Sequence, residues 1–586
     1  MIQTDLPVKA RDIEAEIGSD SGILLVGSKA QAIRIGRIRL LTVALVFAIS
    51  FVVLAGRLIE LTVIREPSPS LAFMSASPTK YTAGRADIVD RNGILLATNL
   101  LTASLYADAR VVPDAPEAAR RLVTVLPELS PSAVQERLAS GRSFVWLKRN
   151  LTPSQQAAVN GLGIPGLYFR DEQRRLYPQG ALDSHVLGFT DVDGNGIAGV
   201  EKYFDQEMRD RGPQGRALQL SLDVRVQHAL RDELMAAMVR FRAVGAAGVV
   251  LNADTGEVLA LASLPDFDPN HPTAAPALAR FNRATKGVYE LGSVFKVLTV
   301  AMALDSGATK LRGGYNATEP IRVARFTIRD SHAKKRWLSV PEILIYSSNI
   351  GAAKMALDVG RDGQHKYLER FGLLSQASLE LPEVGMPIVP ARWGEISTMT
   401  VAYGHGLAVS PVQFATAFAA TVNGGVLLPA TLIKRKPGAR ALGVQVIRAQ
   451  TSNQLRRLLR AVVEKGTGRK AEAPGYLVGG KTGTAEKAGV GGYLRNALIS
   501  SFVAAFPMTA PKYVLYLLLD EPQGDEETHG YATAGWTAAP LTGRVVSRIA
   551  PILGVRPVDD GGALIQRAMA LPLASMQGRG QDVAVN

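Results

Sequence analysis

The chain has 586 residues, and a prior of about 150 residues per domain predicts either roughly four domains or two large ones with insertions. Apolar residues make up 47% and charged residues 20%, which argues against wholesale disorder and against a polytopic membrane protein. The net charge of +14 predicts adhesion to anionic surfaces, but the basic residues are spread along the chain without a nucleic-acid-binding motif. The absence of cysteine excludes disulfides, thiolate metal sites and a cysteine nucleophile.

An apolar segment near the N-terminus predicts a membrane anchor. Leu40 to Gly56 carries no charge, and the segment can extend further if Arg57 snorkels to the interface, which makes it long enough to cross a bilayer. Arginines at positions 34, 37 and 39 precede it, and this flank predicts a cytoplasmic N-terminus. A cleaved signal peptide is the alternative, but its apolar stretch would be shorter and would follow a short leader. We therefore expect a single-pass protein whose remaining residues lie outside the cytoplasm.

Beyond the anchor, the composition changes twice. Pro67 to Pro78 is rich in Ser and Pro, which is typical of a tether. A turn-rich mixture of short strands and helices follows, and a second composition begins with a long helix near residue 220. The predicted organisation is a cytoplasmic tail at 1–39, a transmembrane helix at 40–59, a linker at 60–79, a membrane-proximal module at 80–218, a C-terminal domain at 219–555 and a flexible tail at 556–586.

Apolar periodicity predicts the individual elements. In the membrane-proximal module they are strand-like Leu101 to Val112, helical Ala115 to Leu126 and Ser132 to Leu138, and strand-like Ser143 to Lys148. The C-terminal domain is predicted to begin with a helix from Asp223 to Arg242 and a hairpin in Ala247 to Leu264 that turns at Asp254-Thr255-Gly256. Helical segments are predicted through Met302 and at Val340 to Val359, Val412 to Asn423 and Asn453 to Lys465. Strands are predicted at Val478 to Glu486, Leu498 to Phe506 and Tyr513 to Asp520, followed by a helix at Thr537 to Leu553. Three closely linked strands indicate a largely antiparallel sheet covered by helices.

Three serines lie three residues before a lysine, a spacing that places both side chains on one face of a helix. A desolvated, neutral lysine in that position can take the proton of the serine hydroxyl. The pair Ser77 and Lys80 falls in the tether, and Ser331 and Lys334 fall in a polar run. Neither offers the dry helical setting that lowers the pKa of an amine.

The pair Ser293 and Lys296 has the right setting, because Gly292 precedes it and apolar residues continue to Met302. A helix that begins here presents the hydroxyl beside backbone N–H groups and the positive end of the helix dipole. A lone S-x-x-K is more often an ordinary helix N-cap, so companion motifs decide between the two interpretations.

Two companion motifs are present in order. Ser347-Ser348-Asn349 follows an apolar helical stretch, and its hydroxyl and amide can relay a proton and hold a substrate amide. Lys481-Thr482-Gly483 lies in a strand-like run after two glycines and before Thr484, where an edge strand can pair with an extended peptide whose carboxylate meets a cation.

The ordered motifs S-x-x-K, S-x-N and K-T-G resemble those of the penicillin-recognising serine acyltransferases, namely penicillin-binding proteins and class A β-lactamases. Further motifs resemble the membrane-proximal module of class B penicillin-binding proteins: Arg85-Ala86-Asp87-Ile88, Asp90-Arg91-Asn92-Gly93, Arg175 with Tyr177-Pro178, and Gly199-Val200-Glu201. Others are similar to the transpeptidase domain of that class: Thr255-Gly256-Glu257-Val258 through Pro269-Asn270, Asn282-Arg283-Ala284, Tyr403-Gly404-His405-Gly406 leading to Gln413, and Asn423-Gly424-Gly425. The single anchor and the segment from Gly196 to Asp205 look most like the division-specific peptidoglycan D,D-transpeptidases of the penicillin-binding protein 3 type.

This resemblance implies an α+β fold. It consists of one transmembrane helix, an elongated dimerisation or pedestal module, and a serine β-lactamase/transpeptidase-like domain with helices around an antiparallel sheet. It also implies roles for eight residues. Ser293 is the nucleophile, Lys296 is the base, Ser347 and Lys481 transfer protons, and the N–H groups of Ser293 and Thr484 form the oxyanion hole. Asn349 binds the substrate amide, Lys481, Thr482 and Thr484 bind the terminal carboxylate, and Gly483 lies in the substrate-binding strand. Relatives do not decide which lysine is the neutral base at each step.

The implied function is crosslinking of peptidoglycan stem peptides that end in D-Ala-D-Ala, with β-lactams as inhibitors. The alternatives are an elongation-specific class B transpeptidase, a penicillin-binding scaffold or sensor with little turnover, and an enzyme that hands the acyl group to water. The implied location is the inner membrane with the catalytic domain in the periplasm, and the implied partners are an integral-membrane glycan polymerase and other division proteins. No cofactor is expected, and no metal, because the seven histidines are far apart and lack an H-E-x-x-H motif.

Overall fold

The computed structural model describes residues 22–59 and 84–571, apart from short gaps at 213–214, 324–325, 437, 439–440, 490–491 and 560–561. The contacts divide the chain into two units, Met1–Thr82 and Ala83–Asn586. The tether predicted at Pro67 to Pro78 lies outside the described residues.

The first unit contains one long helix, α1 (Gly22–Ile59). Its segment Arg37–Gly56 has 20 residues and a mean hydropathy of 2.6, which is long and apolar enough to cross a membrane. The hydroxyls of Thr42 and Ser50 donate to backbone carbonyls one turn earlier, so these polar groups are satisfied within the helix. The helix contains the predicted anchor and begins well before it.

The membrane-proximal module is a small sheet packed against short helices. Its strands are β1 (Ile88–Val89), β2 (Leu95–Ala107), β3 (Val145–Leu151), β4 (Leu167–Leu176) and β5 (Leu218–Gln219), in the order β3-β2-β1-β5 with β4 also paired to β2. Its helices are α2 (Ala115–Val125), α3 (Pro131–Leu138), α4 (Pro153–Gly161), α5 (Ser184–Leu187), α6 (Gly199–Tyr203) and α7 (Asp205–Arg211). Helices α2 to α4 and the sheet bury a common apolar core that includes Leu105, Leu122 and Leu147.

Buried ion pairs join distant motifs of this module. Nε of Arg85 lies 2.8 Å from one carboxylate oxygen of Glu201, and Nε of Arg175 lies 2.7 Å from the other. All three side chains are at most 4% exposed. A charge buried this deeply is stable only with an opposite charge beside it, so removal of one of these side chains destabilises the burial of the others.

The C-terminal domain is organised around a five-stranded antiparallel sheet in the order β14-β15-β16-β6-β7. The strands of this region are β6 (Gly245–Asn252), β7 (Val258–Leu264), β8 (Gly314–Asn316), β9 (Ile321–Val323), β10 (Phe326–Ile328), β11 (Trp337–Ser339), β12 (Val426–Leu427), β13 (Val444–Gln445), β14 (Gly479–Gly489), β15 (Gly492–Phe506) and β16 (Tyr513–Asp520). Its helices are α8 (Val224–Arg240), α9 (Lys296–Ser306), α10 (Val340–Ile345), α11 (Asn349–Val359), α12 (Arg361–Arg370), α13 (Glu395–Val401), α14 (Pro411–Val422), α15 (Ala449–Lys465), α16 (Ala538–Ile552) and α17 (Ala563–Met569). The predicted antiparallel sheet and the hairpin of β6 and β7 are confirmed.

Helices cover both faces of this sheet, and β16 shows why its sequence is apolar at nearly every position. Leu515 and Leu517 belong to the core shared with α8 and α16. Val514 and Tyr516 point the opposite way and belong to the core shared with α9 and α14. Because successive side chains of a strand alternate between faces, a strand covered on both sides is apolar throughout.

Two regions differ from the sequence prediction. The helix predicted from Val340 to Val359 is two helices, α10 and α11, because Ser348 accepts a hydrogen bond from Gly351 N–H and caps a new helix start. The C-terminal segment predicted to be loose contains α17, whose Met569 packs against the main core. The break between α10 and α11 lies at the S-x-N motif.

Candidate active site

Ser293 lies on a short 3₁₀ turn, Gly292–Phe295, that leads directly into α9. The sequence places it at the start of an α-helix, and the structure shows the tighter turn there, with the α-helix beginning at Lys296. Val294 and Phe295 are buried on either side of the turn and hold it against the core. The serine side chain faces a cleft, whereas Lys296 is fully buried beneath it.

The amine of Lys296 lies at the centre of the site. Its Nζ atom is 2.8 Å from Ser293 Oγ, 2.7 Å from the carbonyl oxygen of Ser347, 3.0 Å from Ser347 Oγ and 2.7 Å from Asn349 Oδ1. A neutral amine can donate to the carbonyl and the amide oxygen and accept the hydrogen of the Ser293 hydroxyl. The geometry therefore suits proton transfer from the serine to the lysine.

Burial gives both lysines unusual proton affinities. It lowers the pKa of Lys296 well below the ordinary value of 10.5, the positive charge of Lys481 lowers it further, and Asp330 opposes both effects. Burial also lowers the pKa of Lys481, to about 7. The pKa of Lys481 is therefore close to physiological pH, and burial favours the neutral form of Lys296 as well.

The S-x-N motif forms a strained turn between α10 and α11. Ser347 has a φ of +61°, in the left-handed region that non-glycine residues rarely occupy. Asp330 holds the turn, since its carboxylate accepts hydrogen bonds from the Ser348 hydroxyl at 2.7 Å and from Ile350 N–H at 3.0 Å. The amide nitrogen of Asn349 donates to the carbonyl of Arg329 at 2.8 Å. These contacts turn the hydroxyl of Ser347 toward the two lysines.

The K-T-G motif lies on β14, which is the edge strand of the main sheet. Nζ of Lys481 is 3.0 Å from Ser347 Oγ, so this lysine reaches the S-x-N turn from the opposite wall of the cleft. The hydroxyls of Thr482 and Thr467 are 2.8 Å apart. Thr484 accepts a hydrogen bond from Ala534 N–H at 3.1 Å. An edge strand leaves alternate backbone groups unpaired, and these are available to an extended ligand.

Glycines allow the catalytic turn to approach its neighbours. Gly404 has a φ of +85°, and a Cβ atom there would overlap the backbone of Gly292. A Cβ atom on Gly483 would crowd the carbonyl oxygen of Leu291. The Tyr403-Gly404-His405-Gly406 loop therefore lies directly against the turn that carries Ser293.

The predicted site residues surround a cleft of about 700 Å³. Its walls include Ser293, Ser347, Asn349, Thr482 and Thr484 together with Ser331, His332, Lys334, Tyr346, Tyr403, His405, Lys465, Thr467, Arg469, Lys470, Glu486, Thr533 and Trp536. Lys296 and Lys481 lie behind these walls, fully buried. The structure thus brings together all the side chains singled out from the three motifs.

Some parts of the site were not expected from the sequence. No motif in the sequence marks Asp330 or Thr467. Asp330 contacts Ser348 and Thr467 contacts Thr482, and each of these partners is far along the chain. Ser331 and Lys334, set aside as a nucleophile pair, line the rim of the cleft, and Lys334 lies over the ring of Tyr346. The pair Ser77 and Lys80 lies outside the described residues.

Comparisons with known proteins agree with this arrangement. The penicillin-binding protein transpeptidase domain matches residues 246–542, and the penicillin-binding protein dimerisation domain matches residues 80–217. The chain is 42% identical over 482 residues to the probable peptidoglycan D,D-transpeptidase FtsI of Caulobacter vibrioides, an alignment that covers 80% of this chain and 82% of the relative. It is 33% identical over 505 residues to the probable peptidoglycan D,D-transpeptidase PenA of Neisseria gonorrhoeae, covering 81% and 85%.

The fold has solved counterparts as well. A peptidoglycan synthetase from Bifidobacterium adolescentis superposes with a TM-score of 0.64 at 23% identity, over 82% of this chain and 97% of that one. At this identity the solved structure shows a shared fold, whereas the two domain matches and the 42% identical relative show the family. The chain therefore belongs to the class B penicillin-binding proteins, with a transpeptidase domain behind a dimerisation domain.

Proposed function

We propose that this protein is a peptidoglycan D,D-transpeptidase that crosslinks stem peptides through an acyl-enzyme on Ser293, and that it works at the division septum. The observation that carries the chemistry is the 2.8 Å separation between Ser293 Oγ and the buried amine of Lys296, at the base of a cleft also lined by the other two motifs. The septal location rests on similarity to a relative named FtsI.

In the acylation step, neutral Lys296 takes the hydroxyl proton of Ser293, and Oγ attacks the carbonyl carbon between the two terminal D-alanines. The N–H groups of Ser293 and Thr484 stabilise the negative charge on the carbonyl oxygen. The C–N bond then breaks, and the departing D-alanine amine receives a proton by way of Ser347. The 3.0 Å contacts of Ser347 Oγ with both lysines support this relay.

The donor peptide is held along β14. Lys481, Thr482 and Thr484 bind its terminal carboxylate, and Asn349 binds its amide. Asn349 Nδ2 donates one hydrogen to the Arg329 carbonyl, and its second hydrogen can serve the peptide. Gly483 lets this strand lie against the turn that carries Ser293, because a Cβ atom there would crowd the carbonyl oxygen of Leu291.

In the second step, an amine from a neighbouring stem peptide attacks the ester carbonyl, loses a proton to the lysine relay and releases Ser293. The proton of the acceptor amine travels the same path in reverse and reaches Ser293 Oγ as the ester C–O bond breaks, so the acceptor amine enters on the Ser347 side of the cleft. β-Lactams imitate the D-Ala-D-Ala end and leave Ser293 acylated.

The proposed location is the inner membrane, with α1 as the anchor and the catalytic domain in the periplasm. The arginines before the apolar segment support a cytoplasmic N-terminus. An integral-membrane glycan polymerase and other division proteins are the proposed partners of the anchor and the membrane-proximal module.

A fluorescent penicillin tests the acyl-enzyme directly. We expect covalent labelling of the purified full-length protein, loss of labelling in Ser293→Ala, and normal labelling in the matched control Ser331→Ala. Label that persists for many minutes favours a transpeptidase, and rapid turnover favours a β-lactamase. Labelling of Ser293→Ala would refute the assigned nucleophile.

Two further measurements separate the remaining alternatives. Transfer of a donor peptide to an added D-amino acid distinguishes a working transferase from a scaffold or sensor, which would be labelled but would form no product. A fluorescent fusion that remains along the lateral wall of dividing cells, rather than concentrating at the septum, would favour the elongation-specific role.

A further inference from the structure

The edge strand β14 continues past the K-T-G motif and places a carboxylate in the cleft. Thr482, Thr484 and Glu486 alternate along the strand, so their side chains share a face, and all three line the cavity. Glu486 is exposed and pairs with no cation among the described residues. The neighbouring Lys487, on the opposite face, is paired with Asp520 and Glu521. Glu486 is thus a free negative charge aimed into the active-site cleft.

The strand geometry fixes where this charge meets a bound peptide. Glu486 follows Thr484 by two residues on the same face of the strand, and two residues of an extended strand span about 6.6 Å. Under the proposed function, the carboxyl end of the donor lies at Thr482 and the attacked carbonyl at Thr484. A donor paired with the edge strand then brings the residue before the acylated D-alanine level with Glu486.

The wall around Glu486 suits a positive charge. The ring of His405 packs against those of Tyr403 and Tyr493, with centroids 5.3 and 5.5 Å apart, and aromatic faces attract cations. Glu290 lies behind them and accepts hydrogen bonds from Gly406 N–H and the Tyr493 hydroxyl, both at 2.8 Å. Within the described part of the chain, Nδ1 of His405 is buried and has no hydrogen-bond partner. Burial lowers the pKa of this histidine, which favours its uncharged form.

The opposite end of the cleft carries the reverse charge. Lys465 is the last residue of α15, Arg469 and Lys470 follow it beside Thr467, and Lys334 lines the same cleft. Thr467 contacts Thr482, so these cations lie at the carboxylate end of the proposed donor. A peptide with a terminal carboxylate and an ammonium-bearing side chain is therefore oriented by both ends of the cleft.

We propose that Glu486 is a specificity-determining residue that binds the ammonium group on the donor residue directly before the acylated D-alanine. The inference rests on the proposed function, which also supplies the amine: the acceptor amine belongs to a stem peptide, and the donor is a stem peptide of the same kind. Glu486 selects a donor whose amine is still free.

Two synthetic thioester donors test this inference. They are identical except that the residue before the acylated D-alanine is lysine in one and Nε-acetyl-lysine in the other. The acylation rate constant is followed by thiol release with the full-length protein in detergent. We expect wild type to prefer the lysine donor by about fivefold, the scale of an exposed ion pair. The ratio should fall to about one in Glu486→Gln and below one in Glu486→Lys, as expected for loss and reversal of that charge.

The control is Glu526→Gln, which removes the same charge from an exposed residue outside the cleft lining and should keep the wild-type ratio. Labelling with a fluorescent penicillin whose side chain carries no ammonium group should be equal in all variants, because Ser293 and the fold are untouched. A wild-type ratio of about one, or an unchanged ratio in Glu486→Gln, overturns the inference while leaving the proposed function in place. Failure of penicillin to label wild type overturns the proposed function and the inference with it.

Discussion

The amines of Lys296 and Lys481 lie at the same distance, 3.0 Å, from the hydroxyl oxygen of Ser347. Both lysines are fully buried, and two ammonium groups around one oxygen in a dry pocket repel each other. Burial lowers the pKa of both amines, and the charge of Lys481 lowers that of Lys296 further. Ser347 thus connects a proton acceptor beneath the nucleophile with a second amine on the opposite wall.

The pH dependence of acylation should report the proton of Lys296. The acylation rate constant should rise with pH as Lys296 loses its proton. Because burial lowers the pKa of this lysine well below 10.5, the midpoint of this rising limb should lie at a pH well below 10.5. Asp330 acts in the opposite direction, so Asp330→Asn, which removes its negative charge, should move the limb to lower pH. Stopped-flow labelling with a fluorescent penicillin measures both profiles.

The matched control for this experiment is Asp362→Asn, an exposed carboxylate paired with Arg361 on α12. It should leave the limb in place. A limb that moves to higher pH in Asp330→Asn would contradict the assigned electrostatic effect.

The buried amine of Lys481 should make thermal stability depend on pH. Its pKa is about 7 in the folded protein against 10.5 in the unfolded chain, so folding releases a proton between these values. The resulting penalty is complete below about pH 7 and disappears as pH rises toward 10.5. The gain in Tm of Lys481→Met over wild type should therefore be largest in mild acid and shrink in base. A difference in Tm that is the same across this range would rule out the assigned burial effect.

A methyl group on Gly404 should disable the nucleophile turn. In Gly404→Ala the new Cβ would overlap the backbone of Gly292, which immediately precedes Ser293. We expect penicillin labelling to slow by about tenfold or more, since small displacements of a catalytic group cost up to about a hundredfold. Gly307→Ala is the control, because Gly307 has a similar φ of +81° but open space around its Cβ position. Equal labelling by the two variants would show that backbone strain alone governs the effect.

Loss of Glu201 should destabilise the membrane-proximal module. Glu201→Ala leaves the buried guanidinium group of Arg175 without a carboxylate and leaves Arg85 with Asp205 alone, at a cost of about 3–5 kcal/mol. Glu207→Ala removes a surface carboxylate paired with Arg211 and should cost at most about 1 kcal/mol. Tm and limited proteolysis compare the two variants. A smaller effect for Glu201 than for Glu207 would show that the buried pairs do not hold the module.

Much of this protein was determined by local sequence. The apolar run at Leu40 to Gly56 predicted the membrane-spanning segment, and a short continuous apolar run predicted β16. Helical periodicity predicted α2 and α8, because burial against a neighbouring layer depends on which side chains recur at each spacing. The three motifs also identified the side chains that meet in the cleft, since each motif combines a reactive group with its local backbone geometry.

The tertiary structure decided how those groups act on one another. The contact between Lys481 and Ser347 joins residues 134 positions apart, and it depends on the register of an edge strand against a turn. The support of the S-x-N turn by Asp330 and the position of Glu486 in the cleft also depend on contacts between distant segments. A pattern within one segment records which face is buried, but not which distant segment covers it, and burial beside that segment is what lowers the proton affinity of the two lysines.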